Sequence, residues 1–256
     1  GDHRDLHSFP TRRSSDLASK QDGFLLSSSC QLIYLYQEKP SMEQQTFDKL
    51  KISAEGFHSL LDTQYHLIIG RKGKSVDITI EFKPIDFHHL MGLGKLKDLR
   101  IATQNRESVF FGILNGTITY PSICKSRYIG QIENRFTPLS YIEQIFDSNK
   151  LIFRYNEKQN QFSLIEADYL LSTAFSGNDI YIFIKEKETV GRFFCRSFFP
   201  KEKKDYTIGQ PQYTLLFKEK ITVSTGEKVI QYDRLTPKSD SAKISLQENP
   251  KKGKAE

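Results

Sequence analysis

The spacing of hydrophobic residues predicts a helix and then a β-hairpin in the first patterned part of the chain. Four apolar residues of the segment ISAEGFHSLLDTQY fall on roughly one helical face: Ile52, Phe57, Leu60 and Leu61. Ser53 is the candidate N-cap of this helix. The next segment, YHLIIGRKGKSVDITIEF, has two runs of branched and aromatic residues on either side of a basic turn that contains a glycine. This arrangement is typical of a β-hairpin.

Helical spacing continues through the middle of the chain. IDFHHLMGLGKL predicts a short helix that ends at Gly92 or Gly94, and NRESVFFGILNGT predicts a helix that ends at Gly116. RYIGQIENRFTPLSYIEQIFDS predicts one helix up to Phe136, a break at Pro138 and a second helix. We interpret TITYPSICKS, which lies between these segments, as a connector.

After Lys150 the spacing changes from helical to alternating. Short runs of β-type residues follow one another from KLIFRYN to KVIQYDRL, separated by turn-like segments such as EKQN and SGND. Helices followed by consecutive strands predict an α+β fold. We therefore expect an N-terminal hairpin and helices that pack on a C-terminal antiparallel meander sheet.

The two ends of the chain do not have the pattern of a folded domain. Residues 1–17, GDHRDLHSFPTRRSSDL, match the in-frame translation of the standard short-read sequencing adapter, so we expect them to be an assembly artefact. Residues 18–41 are then either translated upstream DNA or a truncated N-terminal extension, and Met42 is the expected native start. We expect the domain to span residues 42–236. Residues 237–256 are rich in lysine and poor in apolar residues, which predicts a disordered basic tail.

Composition narrows the class of protein without deciding its function. Nineteen Phe and twelve Tyr favour a β-rich core, and a net charge of +6 permits a polyanionic partner without requiring one. The three Cys are widely spaced, so neither a disulfide framework nor a metal site is expected. FLLSSSCQLIYLY is too short and too polar to span a bilayer. No phosphate-binding loop or dinucleotide motif is present, so we expect no cofactor. Because the Cys form no disulfide framework, a reducing cytoplasm is the expected location.

Several dispersed segments, in order, resemble a known nuclease family. The pattern consists of F-x-HL-x-G-L-x-K-L after a strand that ends in Phe82, then ADYLL, SFF, DY-x-x-GQ and T-L-L-x-K. The matching positions with polar or ionisable side chains include His89, Lys95, Asp168, Ser197, Tyr206, Thr214 and Lys218. These segments, between about residues 60 and 222, are similar to the fourth of the phage-associated Barnase–EndoU–Colicin–RelE-like nuclease families.

The resemblance implies both a fold and an activity. The implied fold has helices packed on a four-stranded antiparallel sheet. The implied activity is metal-independent cleavage of RNA through attack by the ribose 2′-hydroxyl, in the cytoplasm of a bacterial host or phage-infected cell. The chain departs from better-known relatives, because it has one His of the family pattern rather than the His pair of EndoU-type enzymes. It also lacks the Glu–Arg–His order of barnase, so the departure weakens the prediction of catalysis more than that of the fold.

The residues themselves suggest roles in such chemistry. Metal-free RNA cleavage needs a base, an acid and cationic donors around the phosphate. His89 suits proton transfer near neutral pH, and Lys95, Lys97 and Arg100 follow it closely enough to gather on a phosphate. The alternative is that His89 packs the helix end and that the cations are solvated.

The strands supply the remaining candidates. Strict alternation in GRFFCRSFF places Ser197 on an apolar face with Cys195 and Phe199, opposite Arg196 and Phe198. Asp168 lies among apolar strand residues and needs a polar partner there.

Tyr206, Gln210, Thr214 and Lys218 complete a candidate polar cluster on the last strands. We predict that His89 and at least two of Asp168, Ser197, Tyr206, Thr214 and Lys218 line one concave basic surface. RNA and a neutralising protein are the expected partners. The alternative function is a catalytically inactive module that binds RNA or a protein on the same fold.

Overall fold

The computed structural model describes residues 47–160 and 163–237. The predictions for residues 1–41, for Met42 and for the tail beyond residue 237 lie outside the described residues. The helices are α1 Lys49–His58, α2 Pro84–Met91, α3 Arg106–Leu114, α4 Tyr120–Ile123, α5 Phe136–Ser140 and α6 Ile142–Ser148. The strands are β1 Thr63–Arg71, β2 Lys74–Glu81, β3 Leu151–Arg154, β4 Tyr169–Phe175, β5 Asn178–Glu186, β6 Arg192–Pro200, β7 Gln212–Thr222 and β8 Lys228–Asp233.

Helix α1 begins earlier than its apolar pattern predicted. Asp48 is the N-cap, and its carboxylate accepts hydrogen bonds from the backbone of Leu50 at 2.9 Å and of Lys51 at 3.1 Å. The prediction of Ser53 as the cap was wrong. Its hydroxyl lies inside the helix and donates to the carbonyl of Phe136 at 2.9 Å, which ties α1 to α5.

Pro138 does not break a helix, contrary to the prediction. It lies in the first turn of α5, where the backbone N–H that proline lacks would have no intrahelical partner. The residues before α5 form two 3₁₀ turns, Ile129–Gln131 and Glu133–Arg135, instead of a continuous helix. The expected connector TITYPSICKS contains the short helix α4.

The hairpin prediction is confirmed. Strands β1 and β2 pair in antiparallel register from Gln64 opposite Glu81 to Arg71 opposite Lys74. Lys72 and Gly73 at the turn have φ of 52° and 76°. Positive φ at both central residues is what a two-residue hairpin turn of type I′ requires, and glycine adopts it without strain.

All eight described strands form one sheet, in the order β1-β2-β6-β5-β4-β3-β7-β8. A further pairing between β1 and β7 closes the first seven strands on themselves and leaves β8 outside, against β7. The pairing of β2 with β6 is parallel, while the other described pairings are antiparallel. The mixed α+β fold is therefore confirmed at the level of its class.

The expected C-terminal antiparallel meander does not form a separate sheet in the described part of the chain. Strands β3, β4, β5 and β6 follow one another as antiparallel neighbours, but this run is part of the larger, closed sheet. The N-terminal hairpin lies between β6 and β7 in the same sheet, so both of its edges have hydrogen-bond partners. Unpaired strand edges are unfavourable, and this long-range pairing satisfies them.

Two apolar clusters support the sheet. The helices bury aromatic residues against β1 and β2, where the rings of Phe57 and Phe87 lie 5.8 Å apart and those of Tyr65 and Phe146 lie 5.2 Å apart. A second cluster contains buried side chains of β3, β4 and β5 together with Tyr155, and partly buried Phe199 packs on it. No helix in the described part of the chain is long and apolar enough to cross a membrane.

Candidate functional site

A β-bulge in β6 determines which side chains reach the surface there. Phe183 of β5 pairs with Ser197, but the next residue, Ile184, pairs with Cys195, so Arg196 is an extra residue in β6. Strict alternation fails at this point. Cys195 and Phe198 are both buried, whereas Arg196 and Ser197 both line one pocket. The prediction that Ser197 shares a face with Cys195 was wrong.

The pocket that the bulge opens is small and basic. It has a volume of about 240 Å³ and lies where the end of α2, the 3₁₀ turn Leu93–Lys95 and the turn before α5 meet β6. Five polar side chains in its wall carry the chemistry discussed below: His89, Lys95, Arg135, Arg196 and Ser197. Within the described residues, none of the three cations forms an ion pair with a carboxylate, so the pocket keeps a positive charge.

Arg135 is buried in the wall of this pocket. Its side chain donates from Nη1 to the carbonyl of Leu90 at 3.0 Å, and its guanidinium carbon lies 5.5 Å from the ring centre of Phe199. The residue is only 5% exposed, and its Nε has no hydrogen-bond partner among the described residues. Burial lowers the pKa of Arg135 to about 10, against an opposing effect of Glu202. A buried cation with an unused donor is costly unless an anion binds beside it.

Gly92 allows Arg135 to approach the end of α2. Gly92 ends the helix in the left-handed conformation, with φ of 79°. A Cβ atom at this position would lie 3.0 Å from Ile132 Cγ2 and 3.3 Å from the guanidinium carbon of Arg135. The position therefore requires glycine both for its backbone conformation and for the space that the guanidinium occupies.

His89 is held in one protonation state by Arg106. Nη1 of Arg106 lies 2.6 Å from Nε2 of His89. A guanidinium has donors and no acceptor, so Nε2 must accept the hydrogen bond and the ring proton must be on Nδ1. Burial, followed by repulsion from Arg106, Arg196 and His88 in that order, lowers the pKa of His89 to about 4. His89 is therefore neutral at pH 7.

Two neighbours of His89 differ in role. His88 is buried, and its Nε2 donates to the carbonyl of Ile101 at 3.0 Å, so this hydrogen bond fixes the ring in the interior. Lys95 is on the rim, where its ammonium group lies 3.4 Å from the carbonyl of Gln131. Loss of hydration and then repulsion from Arg135 lower the pKa of Lys95. Lys95 thus releases a proton more easily than an ordinary lysine.

Lys218 lies away from the pocket, at the end of α6. It is 2% exposed, and its ammonium group donates to the carbonyls of Phe146, of Asp147 at 2.9 Å and of Asn149 at 3.3 Å. These carbonyls lie at the C-terminal end of α6, where backbone acceptors lack helical partners. Burial lowers the pKa of Lys218 to about 8.

Three further predicted residues also lie away from the pocket. Asp168 accepts hydrogen bonds from the backbone of Glu186 at 2.8 Å and from Arg154 at 3.3 Å, and it lines a separate open pocket. Tyr206 packs in the second apolar cluster, 5.6 Å from the ring of Phe199. Thr214 is exposed beside a third pocket. The structure thus brings His89, Lys95 and Ser197 together, and the predicted convergence of at least two late-strand residues on His89 was wrong, because only Ser197 lines the pocket.

Sequence reasoning missed Arg106, Arg135 and Arg196 as candidate site residues. Each arginine comes from a different element, and no spacing along the chain links them. The extra residue in β6 was the one detectable irregularity, because RFFCRSFFP has two polar residues in succession inside an otherwise aromatic strand. No group of three or more His, Cys, Asp or Glu side chains that is arranged to hold a metal ion occurs within residues 47–160 and 163–237.

Comparison with known proteins identifies the family. The model of the family described as phage-Barnase-EndoU-ColicinE5/D-RelE like nuclease4 matches residues 49–235. The chain belongs to this family. The match confirms the resemblance seen in the sequence segments and includes every residue of the basic pocket. A search of curated proteins and a search of solved structures each find no significant match. Membership of a nuclease-like family implies a nucleic acid as the substrate.

Proposed function

We propose that this protein is a metal-independent endoribonuclease of phage or mobile-element origin that cleaves RNA by attack of the ribose 2′-hydroxyl. The observation that carries the proposal is Arg135, a buried cation with an unused donor, which lines a basic pocket beside a neutral histidine. A phosphate is the group of RNA that such a pocket suits, because its oxygens accept hydrogen bonds from several cations at once.

His89 is the proposed base. It is neutral at pH 7, and its Nε2 carries a lone pair that is able to take the proton of a 2′-hydroxyl. Arg106 occupies that lone pair in the absence of substrate, so it must turn away when RNA binds. A phosphate in the pocket offers the guanidinium a stronger, charge-assisted hydrogen bond than the neutral imidazole does.

Lys95 is the proposed acid, and the arginines are the proposed phosphate ligands. A lowered pKa makes the ammonium of Lys95 a better proton donor to the leaving 5′-oxygen. Arg135 and Arg196 stabilise the extra negative charge that develops on the phosphate in the transition state. Ser197 adds a hydroxyl donor at the same wall. The protons that leave the 2′-hydroxyl and reach the 5′-oxygen are then both accounted for.

The contact between Arg106 and His89 favours one alternative. If Arg106 stays on Nε2 when RNA is present, the histidine has no free lone pair and the pocket only binds. The protein is then a catalytically inactive module that holds RNA, or a protein partner, through the same cations. A cytoplasmic location and a neutralising partner remain predictions that follow from the ribonuclease proposal alone.

The test is cleavage of RNA and of DNA of the same sequence by the purified protein in the presence of EDTA. We expect RNA to be cut and DNA to be left intact, because DNA lacks the attacking hydroxyl. Lys95→Met should lose most of the activity, while Lys97→Met, an exposed lysine two residues away that does not line the pocket, should keep it. Activity that disappears in EDTA and returns with magnesium would refute the metal-independent mechanism.

A toxicity assay separates the enzyme from the inactive module. Expression of residues 42–236 in bacteria should slow growth if RNA is cleaved, and the His89→Ala variant should relieve that effect. Equal toxicity of the two proteins, combined with RNA binding but no RNA cleavage in vitro, would favour the binding module.

A further inference from the structure

The pocket contains two features that depend on each other: an unsatisfied cation and a histidine that another cation keeps neutral. Arg135 has an unused Nε donor, and Arg106 donates to Nε2 of His89 at 2.6 Å. Arg106 is exposed, so its side chain is free to turn toward the pocket without unfolding α3. An anion bound at Arg135 would attract this guanidinium away from His89.

We propose that the pocket binds a tetrahedral oxyanion, of the phosphate or sulfate type, together with one proton that is taken up by His89. Arg106 is the positioning residue that couples the two events. In the empty pocket it donates to Nε2 of His89; in the occupied pocket it donates to an oxygen of the anion. At weakly acidic pH the freed Nε2 then binds a proton from solvent and donates a hydrogen bond to another oxygen of the same anion.

Electrostatics around His89 supports the coupling. Arg106 of α3, Arg196 of β6 and His88 of α2 face it and repel its positive form. Lys95 and Arg135 add positive charge elsewhere in the pocket wall. The nearby acids act on other groups, since Glu202 interacts with Arg135 and Lys95.

Glu166 likewise interacts with Arg196 rather than with His89. An anion would therefore supply the negative charge that His89 lacks, and a compensated imidazole titrates closer to its ordinary pKa of about 6.5.

The biological meaning of this coupling rests on the proposed nuclease, because the coupling determines when His89 is able to act as the base. A base with a pKa of about 4 is weak, and the phosphate of the substrate would strengthen it only after binding. At pH 7 an imidazole with a pKa near 6.5 is still mostly unprotonated, so in the complex the Nε2 that Arg106 has released would act as the base. At weakly acidic pH its protonated form would hold the anion but would not accept the 2′-hydroxyl proton. The binding site itself does not depend on cleavage, so the two proposals fail independently.

The test is an NMR titration of the His89 imidazole, with sulfate as the anion and with sodium chloride at equal ionic strength as the control. Sulfate keeps its double charge from weakly acidic to alkaline pH, so any change with pH belongs to the protein. In chloride we expect a neutral ring with its proton on Nδ1 and a low pKa. In saturating sulfate we expect the pKa to rise by about one unit or more, with Nε2 protonated below that pKa. By linkage, sulfate affinity should then rise up to about tenfold for each unit by which pH falls between the two pKa values.

Four variants locate the effect. Arg106→Met should raise the pKa of His89 in chloride and shrink the further rise in sulfate. Arg135→Met should abolish the rise in sulfate, and if that variant does not fold, Arg196→Met should reduce it. His89→Asn, which assigns the signal, should still bind sulfate but with an affinity that does not change between weakly acidic and neutral pH.

Two results would overturn the proposal. The first is an equal pKa of His89 in sulfate and in chloride, and the second is an Nε2–H tautomer in the absence of sulfate. A sulfate-dependent rise in the pKa without any RNA cleavage would uphold this inference and refute the nuclease proposal. RNA cleavage without that rise would refute this inference and uphold the nuclease proposal.

Discussion

Replacing Lys218 with methionine distinguishes a structural lysine from a catalytic one. Methionine keeps most of the apolar stem beside Tyr65 and removes the ammonium group that donates to the carbonyls of Phe146, Asp147 and Asn149. If Lys218 only caps α6, the Lys218→Met variant should be less stable than the original protein and should cleave RNA normally wherever it is folded.

The expected loss of stability follows from the burial of these groups. Each carbonyl that remains buried without a donor costs about 1 kcal/mol or more, so three carbonyls give about 3 kcal/mol or more. Burial of the ammonium itself costs free energy, because burial lowers the pKa of Lys218 from 10.5 to about 8. The methionine variant does not have this cost, which offsets part of the loss. We therefore expect a net loss of about 2–4 kcal/mol at pH 7, in the range found when one member of a buried polar group is deleted.

Urea unfolding at pH 7 and at pH 10 measures this loss, and Lys220→Met is the matched control. Lys220 lies two residues further along β7 and pairs with Glu143 at 2.5 Å and Asp147 at 3.3 Å at the surface, so its loss should cost at most about 1 kcal/mol. Between pH 8 and 10.5 the unfolded chain holds the Lys218 proton and the folded chain does not, so the original protein gains stability relative to Lys218→Met as pH rises.

A cost below 1 kcal/mol, or a cost that does not grow from pH 7 to pH 10, would refute the structural role. Loss of RNA cleavage in a folded Lys218→Met variant would instead indicate that this lysine takes part in catalysis.

Other substitutions test the pocket and its helix. Gly92→Ala should cost about 1–3 kcal/mol in urea unfolding, because alanine must adopt a left-handed backbone beside Arg135; an unchanged midpoint would contradict this. Burial raises the pKa of Asp86 to about 6, so the folded chain holds more protons than the unfolded chain between pH 4 and 6, and Asp86→Asn should gain stability relative to the original as pH rises through that range. The pKa of His89 is lowered instead, so His89→Asn should gain relative stability as pH falls from 6.5 to 4, and slopes of the same sign would show that one shift has the wrong direction. The buried thiol of Cys195, whose pKa burial raises, should react with a thiol reagent only on unfolding, as followed by mass spectrometry.

Local patterns in the sequence predicted local structure well. The hairpin β1–β2 was predictable because its alternation and its glycine turn both act over a few residues. The closure of the sheet was not, because the pairings of β1 with β7 and of β2 with β6 join residues far apart in the chain. The bulge at Arg196 also escaped prediction, and it changed the face on which Ser197 lies.

The candidate site shows the same division between local and long-range information. His89 and Lys95 were predictable as neighbours, since they lie within one short segment after the hairpin. Arg135 and Arg106 were not, because tertiary packing alone brings them to that segment. The environment of Lys218 was not predictable for a related reason: its place in a family pattern does not reveal whether the side chain faces a pocket or the carbonyls of a helix end.

The most direct test of the account is cleavage of an RNA in which the nucleotide before the cut carries a 2′-deoxyribose. With EDTA present, the account predicts that the unmodified RNA is cut to a 2′,3′-cyclic phosphate end and that the single deoxy substitution abolishes that cut while neighbouring cuts remain. Cleavage at the deoxy position, or a linear phosphate as the first product, would contradict attack by the 2′-hydroxyl and with it the proposed function of the pocket.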